Sequence, residues 1–303
     1  MTKIKTVGIV GAGALGVMYG NTLTQGLGRD NVFFIADAKR ISRYQREGIY
    51  CNDQLCDFNY ANPNTASVDF LIFATKFNDL HDAVKLAQPF VHTHTILISV
   101  LNGIESEHVL AARLGEDHLL YCVVHGMDAT KEANRVSYTR MGSVVFGDRL
   151  NVHTADVHAV SDLFDRVGID YLVPEDIIHR LWSKLMLNTG VNQVAAVYDL
   201  GYGGLQQLGE IRRMMIDAMQ EVRLLAAKEG IAIQSHEIEE WLTIVDSLAP
   251  DNMPSMVQDI RAKRKTEVEL FSGTVRKLAQ KHGIETPVND FLYAEIQKLE
   301  SGF

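Results

Sequence analysis

Ile4-Lys5-Thr6-Val7-Gly8-Ile9-Val10-Gly11-Ala12-Gly13-Ala14-Leu15-Gly16 is the stretch whose reading decides the fold. A short β-branched run leads into glycines spaced G-x-G-x-x-G, and residues 17–27 then carry the apolar spacing of a helix. The strand before and the helix after make the glycine pattern informative. Gly11 permits the tight turn, Gly13 lets the backbone approach a pyrophosphate, and Gly16 lets helix and strand pack closely. Ala12, Ala14 and Leu15 complete the turn, and a diphosphate would sit on the free N–H groups that open the helix. Residues 11–16 are therefore expected to bind a dinucleotide.

Outward from this turn, Val32-Phe33-Phe34-Ile35-Ala36 reads as the second strand and ends at Asp37. An acidic residue about 20 residues past the glycines accepts hydrogen bonds from the adenosine ribose and repels a 2′-phosphate. Asp37 lies 21 residues after Gly16, which favours NAD(H). Lys39, Arg40 and Arg43 follow, and could hold a 2′-phosphate if the loop turned them inward. The plain alternative for all four is a solvated helix start with Asp37 as its cap.

Asp69-Phe70-Leu71-Ile72-Phe73-Ala74-Thr75 is continuously apolar after its first residue, as a strand buried on both faces should be, and leads to Lys76. Thr95-Ile96-Leu97-Ile98-Ser99-Val100 leads to Leu101-Asn102-Gly103, and Leu119-Leu120-Tyr121-Cys122-Val123-Val124 is a third such run. Ligands of an open parallel sheet bind beyond the carboxyl ends of its strands, so Lys76 and Asn102 lie where a cofactor would pass. Each could instead be a turn residue, Asn-Gly being a turn signal in its own right. Two short strands, 137–140 and 143–146, are expected around Met141-Gly142.

Composition narrows the function classes. A chain of 303 residues suggests about two domains. A net charge of -9 argues against general affinity for nucleic acid or anionic membrane. Cys51, Cys56 and Cys122 show no close-set metal pattern, and Cys51 and Cys56 read as reduced thiols near a turn. No cluster with metal-ligand spacing is seen. There is no signal-peptide architecture, and no apolar run nears the roughly 18 residues of a membrane span, so a cytoplasmic protein is expected.

Beyond Asp170-Tyr171-Leu172-Val173 the β-like runs stop, and Pro174 marks a helix start. Helices are expected over 214–229, over 235–248 with Ser235 as N-cap, and over about 254–282. A helical domain joined directly to the first suggests a cleft between them. Within Leu181-Trp182-Ser183-Lys184-Leu185-Met186-Leu187-Asn188-Thr189-Gly190-Val191-Asn192, residues Lys184, Asn188 and Asn192 stack along one side of a helix. A lysine and two amides on an apolar helix need polar partners, whether another part of the fold, water in a groove, or a substrate. Ser255 falls in the first turn of the last helix, where an anion or a plain cap role would fit. Glu267 sits among Lys263, Arg264 and Lys265, where charge spacing alone suggests a surface salt bridge.

The chain resembles the ketopantoate reductases (2-dehydropantoate 2-reductases) over nearly its whole length. The resemblance rests on the glycine motif, Lys76, Asn102-Gly103, Trp182-Ser183-Lys184-Leu185 with Asn188 and Asn192, and Ser255-Met256-Val257-Gln258-Asp259-Ile260 leading into Thr266-Glu267-Val268-Glu269. It implies a Rossmann-type doubly wound α/β domain, 1–173, followed by an all-α, 6-phosphogluconate-dehydrogenase-like domain, 174–303, that carries substrate binding and catalysis. It implies Lys184 as the general acid at the C2 oxygen, Asn188 and Asn192 on substrate polar groups, and Ser255 on the substrate carboxylate. Glu267 would contact the C2 hydroxyl and the nicotinamide side of the cofactor, and Lys76 and Asn102 would line the cofactor cleft. Charge developing on a ketone oxygen needs a donor, which is the chemistry those roles provide.

The family default is NADP(H), but it usually carries arginine where Asp37 stands. Tyr202 in Gly201-Tyr202-Gly203-Gly204 replaces an asparagine, Gln193 replaces a proline, and Leu101 replaces a frequent glutamine. The expected activity is reduction of ketopantoate to D-pantoate, in pantothenate biosynthesis. The alternatives are an NAD-dependent D-2-hydroxy-acid dehydrogenase for other branched or aromatic 2-keto acids, and a non-catalytic nucleotide sensor. The expected partners are a small 2-keto acid and, as the assembly to test for, a second copy in a homodimer.

Overall fold

Strand propensity is concentrated in the first half of the chain, and in the computed structural model so are the strands. The residues described are 3–62 and 65–303. In chain order the strands are β1 (Val7–Val10), β2 (Val32–Ile35), β3 (Tyr50–Cys51), β4 (Gln54–Leu55), β5 (Asn59–Tyr60), β6 (Phe70–Phe73) and β7 (Ile96–Ser99). They continue with β8 (Tyr121–His125), β9 (Thr130–Glu132), β10 (Arg135–Ser137), β11 (Ser143–Gly147) and β12 (Tyr171–Leu172). A five-stranded sheet in the order β5-β2-β1-β6-β7 is parallel throughout. Every residue of β1, β6 and β7 is buried, which explains why these strands read as unbroken apolar runs. The chain leaves β1 toward β2 and later returns on the other side to β6. The order therefore reverses beside β1, whose carboxyl end carries the glycine turn, and such a switch point is where open α/β sheets bind ligands.

Helices α1 (Ala14–Leu27), α2 (Ala38–Glu47), α3 (Leu80–Ala87), α4 (Ser106–Leu114) and α5 (Ala155–Val167) belong to this half. The run at 119–124 departs from expectation. Its strand is β8, which pairs antiparallel with β11 in a separate three-stranded sheet, and the Leu97–Leu119 bridge just ahead of it makes the link to β7. The pair expected at 137–140 and 143–146 also resolves differently. Arg135–Ser137 pairs with β9 and β3, Ser143–Gly147 pairs with β8 and β12, and residues between them turn. Asp128 drives that turn by accepting the backbone N–H groups of Thr139 and Arg140, at 2.9 and 2.8 Å. The short hairpin β3–β4 was not anticipated; its residues are too few to show a period. It sets Cys51 and Cys56, both free thiols, against each other.

The second half is helical: α6 (Ile177–Tyr198), α7 (Tyr202–Gln206), α8 (Glu210–Lys228), α9 (Ser235–Ser247), α10 (Ser255–Arg261), α11 (Ser272–His282) and α12 (Pro287–Glu300). Helix α6 begins three residues after Pro174. Helix α9 is capped by Gln234 rather than Ser235, because Gln234 and Glu237 form a reciprocal capping box. The single helix expected over 254–282 is three pieces. Helix α10 stops at Arg261, Lys263 takes a left-handed φ of 51°, a 3-10 turn spans Val268–Leu270, and α11 follows. The buried carboxylate of Glu300 anchors the break, accepting the Thr266 N–H at 2.7 Å, its hydroxyl at 2.6 Å and the Lys265 ammonium at 2.9 Å. A tertiary anchor thus overrides the helical periodicity. Helix α12, which supplies it, was also not anticipated.

The chain divides into two compact units, one of residues up to Leu101 with Ser106–Ile177, the other of Asn102–Glu105 with Ile178–Phe303. No helix among the described residues is long and apolar enough to cross a membrane.

Candidate active site

The glycine turn has the geometry its spacing implies. Gly11 has φ +105°, and a Cβ there would lie 2.6 Å from the Ala74 carbonyl oxygen. A Cβ on Gly16 would lie 2.0 Å from the Gly11 carbonyl oxygen, so both glycines are required for the turn to close. The nearest atom to a Cβ on Gly13 would be 3.5 Å away, leaving the approach side open. Gly13 opens α1 with no side-chain cap, and the first helical bond runs from Val17 N–H to Gly13 O at 3.0 Å. The N–H groups of Ala14, Leu15 and Gly16 precede that bond and suit a diphosphate. These residues fit a dinucleotide.

Asp37 ends the segment after β2 and caps α2, its Oδ1 accepting the Arg40 N–H at 2.8 Å and its Oδ2 lying 3.5 Å from Arg40 Nε. Lys76 is exposed at the start of the 3-10 turn Phe77–Asp79, just beyond β6. Sequence reasoning missed Lys131. It projects from β9, and its Nζ donates to the Ala12 carbonyl oxygen inside the glycine turn. One lysine in a short polar hairpin carries no sequence signal of that contact.

The remaining candidates meet in the second unit. Helix α6 is buried on most of its surface, from Leu181 and Trp182 through Ala196, which accounts for its apolar composition all round. Trp241 of α9 donates to the Ser183 hydroxyl at 2.8 Å and fastens α6 one residue before Lys184. The Lys184 ammonium donates to Asn102 Oδ1 at 3.1 Å, and Asn102 Nδ2 donates to Glu267 Oε2 at 2.8 Å. One amide thus joins the expected acid to the expected carboxylate. Gly103, with φ +87°, brings this segment against Leu270; a Cβ there would stand 3.3 Å from the leucine side chain. Glu267 is half-buried against Asn102 rather than open on the surface, because the Glu300 anchor turns residues 265–267 back on the unit.

One turn along α6, Asn188 and Asn192 are each 8% exposed, and Asn192 Nδ2 donates to Asn188 Oδ1 at 3.2 Å. Asn192 Oδ1 accepts the Ser255 hydroxyl at 3.1 Å and the Met256 N–H at 3.4 Å. Ser255 therefore stands over the second asparagine as the first residue of α10. The glycine-rich segment helps place it: Tyr202 N–H and Gly203 N–H bond the Asn252 and Pro250 carbonyls at 3.0 and 2.9 Å, just ahead of α10. Gln193, fully buried, bonds the Thr189 carbonyl and accepts the Ser272 N–H, joining α6 to the start of α11. No group of three or more His, Cys, Asp or Glu among the described residues is placed to hold a metal ion.

The arrangement is a cation, a carboxylate and a bridging amide beside two further amides and a hydroxyl. It suits a small polar anion with a carbonyl. The chain is 26% identical over 298 residues to the 2-dehydropantoate 2-reductase of Pyrococcus horikoshii, covering 97% of each. Its fold matches a D-mandelate dehydrogenase solved with NADH and anilino(oxo)acetate at TM-score 0.88, with 22% identity and 98% of each chain covered. It matches a dimeric ketopantoate reductase from Staphylococcus aureus at TM-score 0.82, with 21% identity over 98% of this chain and 99% of that one. Family models described as "Ketopantoate reductase PanE/ApbA" and "Ketopantoate reductase PanE/ApbA C terminal" match residues 7–151 and 176–300. The two models account for both halves, and the chain belongs to the ketopantoate reductase family of NAD(P)H-dependent oxidoreductases.

Proposed function

We propose that the protein reduces the ketone of a branched 2-keto acid to the D-2-hydroxy acid, with ketopantoate and D-pantoate as substrate and product. The observation that carries this reading is the Lys184–Asn102–Glu267 row beside Asn188, Asn192 and Ser255. Gly11–Gly16 would hold a reduced nicotinamide dinucleotide, with Lys76 near its path, and that cofactor would supply the hydride for the carbonyl carbon. As the C–O π bond breaks, charge collects on oxygen, and Lys184 gives that oxygen a proton. Asn102 accepts one ammonium N–H, which fixes where the other two point. Glu267, held by the same amide, accepts from the hydroxyl as it forms. Ser255, turning its hydroxyl from Asn192 to the ligand, binds the carboxylate. Asn188 and Asn192 hold the substrate's remaining polar atoms.

A second reading is an NAD-dependent dehydrogenase for bulkier or aromatic 2-keto acids. It is favoured by Asp37 in place of the family's arginine, and by the likeness to a mandelate dehydrogenase solved with NADH. A nucleotide sensor would need the glycine turn but no proton donor, so the intact Lys184 set speaks against it. The dimeric relative makes a homodimer the assembly to test for.

The discriminating experiment is a matrix of initial rates, with NADH and NADPH against ketopantoate, 2-ketoisovalerate and phenylglyoxylate. Ketopantoate with either cofactor should give the highest kcat/KM. The highest value with phenylglyoxylate and NADH supports the second reading, and no turnover in any combination overturns both.

A further inference from the structure

Lys131 is a half-buried cation with an unusual set of neighbours. Its ammonium donates to the carbonyl of Ala12, between Gly11 and Gly13 of the dinucleotide turn. Burial and the nearby guanidinium of Arg43 both push its pKa below the ordinary lysine value. Among the described residues no carboxylate pairs with it. The two carboxylates nearest to Arg43 in sequence are both engaged elsewhere, Glu47 with Arg46 and Asp37 with Arg40. The start of α1 adds the positive end of a 14-residue helix with no side-chain cap. Two cations and a row of backbone donors thus converge in a protein of net charge -9. Without an anion this concentration of like charge is unfavourable; with one, each group gains a partner.

We propose that Lys131, with Arg43 beside it, binds a phosphate group of the dinucleotide. The proposal rests on the reading of Gly11–Gly16 as the cofactor turn. Lys131 reaches that turn from β9, outside the five-stranded sheet, through a sheet in which β10 pairs Val136 with both Lys131 and Cys51. The ammonium uses one N–H on Ala12 and has two more for phosphate oxygens. The phosphate is either the diphosphate, common to both cofactors, or the 2′-phosphate that NADPH alone carries. In the second case Lys131 and Arg43 take over the function of the family's arginine while Asp37 caps α2.

The test is the dissociation constant of NADH and of NADPH for the intact wild-type protein and for Lys131→Gln, Lys131→Arg and Arg43→Gln. Lys131→Gln should weaken NADPH about tenfold or more, as expected for one charge-assisted hydrogen bond, and Lys131→Arg should restore most of the affinity. Equal weakening of NADH assigns the diphosphate; an unchanged NADH constant assigns the 2′-phosphate. Arg43 is exposed and away from the core, so Arg43→Gln gives an independent reading if the Lys131 variants fold poorly; it should weaken the same cofactor. Unchanged constants for both cofactors in Lys131→Gln and Arg43→Gln, with the wild type binding normally, overturn the proposal. Failure of the wild type to bind either cofactor overturns the reading of the glycine turn itself.

Discussion

Asp37 shows how one carboxylate can meet two demands. Its position after β2 suits a ribose contact, and its side chain closes the first turn of α2 on Arg40. The two roles separate by substitution. Asp37→Ala should cost about 1 kcal/mol of stability through the lost cap, whereas Asp37→Asn should keep the cap, asparagine being as good there. If the carboxylate also holds the ribose, both variants weaken NADH. Titration with NADH alongside thermal melts checks this, and an unchanged NADH constant in Asp37→Asn leaves Asp37 as a cap only. Residue placement was legible where residue type and spacing coincide, as for the glycines of the turn and for Lys184, Asn188 and Asn192 on one helix. Contacts between residues far apart in sequence, such as Asn102 with Glu267 or Lys131 with Ala12, have no local signature.

At the scale of elements, α4 holds a group whose ionisation the fold resists. Glu107 lies in its first turn, 1% exposed, with Oε2 accepting the Ser106 hydroxyl at 2.9 Å and Oε1 without a hydrogen-bond partner. Burial raises its pKa from 4.5 to about 7. Between those values the native state keeps a proton that the unfolded state has released, so this group's contribution to stability falls as pH rises through the window and is lost above it. The full effect is about 3 kcal/mol at 1.36 kcal/mol per pKa unit. Glu107→Gln removes the dependence. The melting temperature of the variant minus that of the wild type should therefore climb from pH 4.5 to pH 7. A difference that stays flat over that range contradicts the assignment. Element boundaries were legible where backbone chemistry sets them, as at Gly283, the left-handed C-cap of α11. They were not legible where a distant side chain does, as at 262–267, where Glu300 interrupts what periodicity alone reads as one helix.

At the scale of the molecule, the switch from β-like to helical periodicity near Pro174 was enough to give a parallel α/β sheet followed by an all-helical half. The small four-stranded sheet of the first half was hidden, because strands of two or three residues cannot display alternation. The division into units also has a feature that chain order obscures. Asn102–Glu105 follows the strand β7 yet belongs with the helical unit, and this is how Asn102 comes to bridge Lys184 and Glu267. The central claim is that this helical unit supplies the proton for ketone reduction through Lys184. The most direct measurement is kcat for ketopantoate reduction by wild type and Lys184→Ala, with cofactor dissociation constants determined on the same preparations. The account predicts a fall in kcat of about a hundredfold or more, the usual weight of a general acid, with cofactor affinity within about threefold of wild type. An unchanged kcat in a folded Lys184→Ala protein would contradict it.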